Sequence, residues 1–330
     1  MFVGNLWEGH IMQYHLRNRF GVILYTADLD DSIAELYRAK YALVLAVESG
    51  ENLMGVDLQN AYLNDLILEE AKLTGANFAG ATMINARLEK CALSRASFVG
   101  ATLTDACFRY LEAAHIHFYE AVLYGADFSR TRLMHCDFYK ADLRCSRWYK
   151  AEGQHLSFAE ADLTEADLTE SNFQYAIASG VNFNGSKLVR AHFHDADLSS
   201  ANFTEADCSR AYFVDANMRG ACLDKAQMSG ATLIGANVIG VDLRRAKNAP
   251  VIIQWLSWTA YVYRNHAKIG YQTVPRNQDI YIANTYEKAL YDKYKPVLDA
   301  VWCTVFPETD EEPIEELAED DREEDNFNPG

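Results

Sequence analysis

The chain has 330 residues, a formal net charge of −17, seven cysteines, and a composition that is 49% hydrophobic. This is enough apolar matter for a core, yet no run approaches the ~18 consecutive apolar residues of a membrane span, and the N-terminus lacks a basic start with a small-residue cleavage site. These features point to a cytoplasmic protein with no membrane partner, and the acidic balance argues against direct nucleic-acid binding. The cysteines are scattered, with Cys91, Cys136 and Cys208 at inward positions, so they read as reduced core thiols rather than a disulfide framework.

Residues 1–50 follow no short period. Within them Asp31-Ser32-Ile33-Ala34-Glu35 has the form of a capping box opening a helix through about Val47, which makes this segment an N-terminal cap. From Leu53 to Leu243 the chain then repeats every five residues, with Leu, Phe or Met at almost every centre and Ala two places before it. The register holds for about 39 units, and only Ala113, Gly153, Ala178 and Cys208 place a small residue at the centre. A period of five fits neither the helical nor the strand template, so each unit must be a short side of a coil. Two residues of each five point inward and three outward, the mark of a solenoid that binds with its outer surface.

Units such as Ala76-Asn77-Phe78-Ala79-Gly80 and Ala161-Asp162-Leu163-Thr164-Glu165 carry the tandem pattern A-D/N-L/F-x-x. This pattern resembles the pentapeptide-repeat family over residues 51–247. The resemblance implies an all-β solenoid, a right-handed quadrilateral β-helix with four units, hence 20 residues, per coil. At ~4.8 Å per coil such a rod is roughly 45–50 Å long. Past Lys247-Asn248-Ala249-Pro250 the pattern stops. Residues 248–306, with Val251–Trp258 and a helical stretch around Thr285–Val305, then read as a partly helical C-terminal cap, since solenoid ends cannot be left bare. In the family such a segment also mediates homodimers. Residues 307–330 hold 12 acids and one Arg, the composition of a disordered acidic tail.

Stacking at 20 residues sorts the outward positions into four faces, whose first centres are Leu58, Leu63, Leu68 and Leu73. The first two faces together are acidic, the third slightly basic, and the fourth near neutral. The acidic ridge is strongest between Glu152 and Glu170, and its candidate residues are Asp142, Asp162, Glu165, Asp167, Glu170 and Glu205. Members of the resembling family that confer quinolone resistance place such a carboxylate rod in the DNA-binding saddle of type II topoisomerases. The resemblance therefore implies a protein partner, a DNA-handling enzyme such as gyrase, bound through DNA mimicry. The alternative is a general protein-interaction scaffold.

Two further groups stand out. In the middle of the rod Tyr110, Tyr124, Arg130, Arg132, Arg144 and Arg147 combine the residue types that protein hot spots prefer, while Tyr119 and Tyr139 are spaced to stack on each other. His115, His135 and His155 occupy one outward position on three successive coils. A straight row spreads ligands along a line, whereas zinc prefers a tetrahedral cluster, so the row reads as a pH-sensitive ladder and no metal is assigned. No Gly-rich phosphate loop, nucleophile elbow or H-E-x-x-H motif is present, and the carboxylates follow the repeat rather than a cleft. The sequence thus implies no enzyme and no cofactor.

Overall fold

The computed structural model describes residues 10–233 and 235–248, together with the backbone of residues 252–256, 259–263 and 270–273. The helix expected at 285–305, a dimer contact through the C-terminal segment, and the acidic stretch 307–330 lie outside the described residues.

The chain enters through an antiparallel hairpin, β1 (Ile11–Arg17) and β2 (Ile23–Asp30), paired from Ile11↔Asp30 to Leu16↔Tyr25. The Asn18 side chain accepts hydrogen bonds from the backbone of Phe20 and Val22, and Gly21 takes the left-handed conformation that closes the turn. Helix α1 (Glu35–Glu48) follows, burying Ala42, Leu43 and Ala46. Its start differs from the capping-box expectation. Ala34 stands at the N-cap with no side-chain bond, while Asp30 spends its carboxylate on the Ser32 backbone. Its end is a Schellman motif: the Gly50 amide donates to Val47 and the Glu51 amide to Ala46, with Gly50 at φ 72°. The hairpin then pairs with the first coil through an antiparallel bridge, Asn18↔Val56, so the exposed edge of that coil is covered.

From Asp57↔Asn77 to Gln227↔Lys247 the coils are joined by parallel bridges between residues 20 apart, which makes four five-residue sides per turn. Most corners are β-turns, such as Leu58 to Ala61 with an N···O distance of 3.1 Å, and from Gly55 to Gly240 the residue two places after the centre lies at positive φ. The same side on three successive coils straightens into a small parallel sheet of β3 (Glu112–Ala114), β4 (Arg132–Met134) and β5 (Glu152–Gln154). Strands β6 (Ile252–Leu256), β7 (Thr259–Tyr263) and β8 (Gly270–Thr273) form a separate antiparallel sheet. Among the described residues no helix is long and apolar enough to cross a membrane.

The interior is filled by ladders. Phe78, Phe98, Phe118, Phe138 and Phe158 stack on the first face with centroids 4.7–5.2 Å apart. Phe108, Phe128 and Trp148 stack on the third, and the two ladders meet edge to face across the interior. Above them the aromatics move a quarter turn, to Phe173, Phe193 and Phe213 on the fourth face and Phe183 and Phe203 on the second. Small centres sit at this changeover: Gly153 lies one coil below Phe173, and Ala178 one coil above Phe158. At three of the four small centres the lost volume is returned three residues later, where the usual Ala is replaced by Ile116 after Ala113, Leu156 after Gly153, and Val181 after Ala178, all buried, while Cys208 is followed by the ordinary Ala211. Buried hydroxyls are satisfied locally. Ser146, Ser171, Ser186 and Thr131 each donate to the carbonyl three residues earlier, and Trp148 Nε1 donates to Ser146 Oγ at 2.9 Å.

A Cβ on Gly153 would press on the Leu156 side chain and lie 3.1 Å from Phe173 Cδ1. Gly153→Ala therefore destabilises the fold by about 1–3 kcal/mol through overpacking, and Leu156→Ala by about 2–5 kcal/mol through a cavity. Urea unfolding of the double variant shows less destabilisation than the sum of the singles, because each change relieves the other; strict additivity would contradict this account.

Candidate interaction surface

The outward residues form columns in which positions 20 apart are neighbours, so each charge meets the one above and below it. The six ridge carboxylates are accordingly not equivalent. Asp142 is gripped by Arg144 through two contacts of 2.7 Å, which holds its carboxyl below the usual range. Glu205 pairs with Lys225 at 2.7 Å and is likewise lowered. Glu170 lies on the third face between two bases, Lys150 at 3.2 Å and Arg190 at 3.7 Å. Asp162 accepts hydrogen bonds from Thr164 and Asn182, and Asp167, also on the third face, caps the Thr169 amide. Glu165 is met by the Cys145 thiol at 3.7 Å. Among the described residues Asp162, Glu165 and Asp167 have no base within ion-pair distance, so of the six ridge carboxylates the uncompensated ones lie in one short stretch.

The tyrosines of the middle coils carry bases over their rings. Arg109 lies 5.3 Å from the Tyr110 centroid, Lys140 5.1 Å from Tyr139, Arg144 5.7 Å from Tyr124 and Lys150 5.1 Å from Tyr149. Tyr119 stacks on Tyr139 at 5.6 Å. Tyr110 and Tyr124 remain 43% and 42% exposed, so their rings are held in place yet open to a partner. Arg132 bridges Glu112 and Glu152, whereas Arg130 and Arg147 are exposed with no ion-pair partner among the described residues. These groups occupy several faces, forming a belt around the rod rather than one patch. Three of these cation–π pairs join residues adjacent in sequence, whereas Arg144 reaches Tyr124 from one coil above.

On the fourth face the His115, His135 and His155 rings stack at 5.2 and 5.0 Å, and Tyr175 continues the stack at 5.1 Å. The column rides on β3, β4 and β5, whose regular pairing fixes the spacing. A second aromatic group on the same face, His192, His194 and Tyr212, carried no signal in the repeat. Burial, with His194 beside it, holds the His192 imidazole below its usual value. Among the described residues no three His, Cys, Asp or Glu side chains are arranged to hold a metal ion.

Stacked five-residue sides with a continuous apolar interior and chemistry confined to outward columns define a solenoid repeat protein. A sequence profile for pentapeptide repeats matches eight copies within residues 52–89, 80–110, 115–146, 154–185, 179–213, 191–230 and 211–247, and the chain belongs to that family. Proteins of this family adopt the right-handed quadrilateral β-helix. Among solved structures, HetL of the cyanobacterium Nostoc sp. strain PCC 7120, a pentapeptide repeat protein involved in heterocyst differentiation regulation, is 24% identical over 62% of this chain and 95% of its own, with a TM-score of 0.36. QnrB1, a plasmid-mediated fluoroquinolone resistance protein, is 18% identical over 51% of this chain and 85% of its own, with a TM-score of 0.26. Rfr23 of the cyanobacterium Cyanothece 51142 is 25% identical over 34% of this chain and 62% of its own, with a TM-score of 0.24. Comparison with curated protein sequences finds no significant match.

Burial pushes the Cys91 thiol up to about 12 and that of Cys136 to about 11, and raises Cys208 further still. Deprotonation of these three is therefore suppressed at pH 8 in the folded rod and restored on unfolding. Among the cysteines of the described residues, timed alkylation followed by mass spectrometry finds the partly exposed Cys145 and Cys222 modified before Cys91, Cys136 and Cys208. Equal labelling of Cys208 in the native protein would place it outside the core.

Proposed function

We propose that this chain is a non-enzymatic protein-binding rod of about 39 pentapeptide units, capped by residues 1–50 at one end and 248–306 at the other. Its contact surface is the belt of tyrosines and bases between Arg109 and Lys150. The observation that carries this reading is the pairing of each exposed ring with a neighbouring cation. A side chain already fixed by cation–π contact and a rigid turn loses little freedom on binding, which favours affinity. Acids interleaved among the bases weaken the same belt as a phosphate-binding surface, so a protein partner is favoured over nucleic acid.

A second reading, DNA mimicry toward a DNA-handling enzyme such as gyrase, rests on the uncompensated carboxylates Asp162, Glu165 and Asp167. Ion pairing at Asp142, Glu170 and Glu205 makes this charge sparse beside a duplex, which bears about one charge per 1.7 Å. General scaffolding is accordingly the broader conclusion and mimicry the narrower one.

Capture from a bacterial lysate, with and without excess DNA, separates the two. For the belt, Tyr110→Ala or Tyr124→Ala weakens partner binding about tenfold or more while leaving the melting temperature in place. For mimicry, the intact rod inhibits gyrase supercoiling, and Asp162→Lys with Glu165→Lys, or added salt, relieves that inhibition. A partner retained at full affinity by both tyrosine variants would move the contact off the belt.

A further inference from the structure

Beyond partner binding through the belt, the outermost column of the fourth face has a property of its own: its charges are sorted by height rather than paired. In other columns neighbours 20 apart neutralise each other, as in Lys140–Glu160, Lys225–Glu205, the Lys150–Glu170–Arg190 row and, on the fourth face itself, Glu112–Arg132–Glu152. The outermost column of the fourth face instead runs Arg95, His115, His135, His155, Tyr175, Asp195, Asp215. All seven are exposed, and among the described residues neither aspartate makes an ion pair or a side-chain hydrogen bond. One half of the column is basic when protonated, the other half is acidic, and an aromatic ring sits between them.

We propose that this face is a self-complementary surface on which two copies of the chain pack antiparallel, about a twofold axis at the level of Tyr175. A twofold lying in the interface perpendicular to the rods reverses one rod and sets each column against itself. His155 then faces Asp195 of the second copy, His135 faces Asp215, and Tyr175 meets Tyr175. The neighbouring column matches under the same operation: Glu152 opposes His192, and Arg132 opposes the exposed Tyr212 ring. The third column opposes Met134, 49% exposed, to Val214. Six coil steps separate position 115 from position 235, so the strip is about 29 Å long, which suits a small, reversible interface. Equal coil spacing in both copies keeps every pair in step.

Protonation gates the contact. Imidazoles as a class are cationic below neutrality and neutral above it, whereas carboxylates are anionic across that range. Charged rings about 5 Å apart repel one another, and Asp195 and Asp215 of the second copy offset that repulsion. The other charged groups around the column leave it in need of carboxylates: Arg95 lies below His115, Arg132 is shared between Glu112 and Glu152 at 3.8 and 3.2 Å, and across the corner lie His117 and Asp137, the latter occupied with the Tyr139 amide. Association is therefore strong below neutrality and is lost as pH rises through the histidine range.

Sedimentation equilibrium of the full chain tests this. Dimerisation about tenfold or more tighter at pH 5.5 than at pH 8 is expected. Register is tested by a charge swap. His135→Asp with His155→Asp, and separately Asp195→Lys with Asp215→Lys, each abolish self-association, while an equimolar mixture of the two variants forms a heterodimer. Asp and Lys already occupy equivalent turn positions at Asp65, Asp105, Lys90 and Lys140, so folding is preserved and circular dichroism checks it. A wild-type monomer at pH 5.5 and about 100 μM, at the weak end of specific interfaces, would overturn the proposal. Undiminished self-association of either variant, or a mixture that stays monomeric, would overturn it equally.

Discussion

The width of the coil interior governs this molecule. Four short sides enclose a space that one large and one small residue per side fill to the density of a crystal, and nothing larger fits. That limit explains why Phe ladders run on opposite faces and meet edge to face, and why Ala stands beside most large residues. It also explains why deviations occur in pairs. Gly153 with Leu156 and Ala178 with Val181 exchange large and small across a corner at the coils where the aromatic ladders rotate. The interior is thus specified by the sum of its volumes at each level, more than by any single residue.

A core this constrained makes the exterior a lattice. Outward residues 20 apart lie one coil from each other, so electrostatics on the rod is set mainly within columns. Lys150, Glu170 and Arg190 neutralise one another because they share a column, and Glu170 is a bridge between bases despite belonging to the most acidic stretch of the sequence. Exposed pairs of this kind add little stability. Their effect is on recognition, since they erase charge in some columns and leave it standing in others. A sum of charge over a whole face conceals this, and the column shows it.

The five-residue period made the coil, its inward residues and the 20-residue neighbour relation legible in the sequence, because only one geometry places every fifth residue inside. The β1–β2 hairpin was not legible. Tyr14, Leu16, Ala27 and Leu29 supply inward positions, but Tyr25 and Thr26 blur the alternation, and Asp31–Glu35 drew attention to the helix alone. For the surface, the sequence identified which residues face outward. It did not show which carboxylates are compensated, since the reach of Arg144 back to Asp142, or of Lys225 down to Glu205, depends on side-chain rotamers. The His192–His194–Tyr212 group was missed because it is spread over two outward columns, whereas the His115 row lies in one.

The corner geometry described above has a bearing on how such a surface changes over time. Asn60, Lys90, Tyr110, His135, Glu165 and Arg190 all sit at positive φ, a conformation that glycine adopts freely and that costs other residues about 1 kcal/mol. The same positions carry much of the chemistry by which the rod can be told from a blank solenoid. Drift toward glycine at these corners relaxes the backbone and removes an identifying side chain in one step. A non-glycine residue there is held against the local preference of the chain, and each one marks a place where the outer surface has been given precedence over ease of folding.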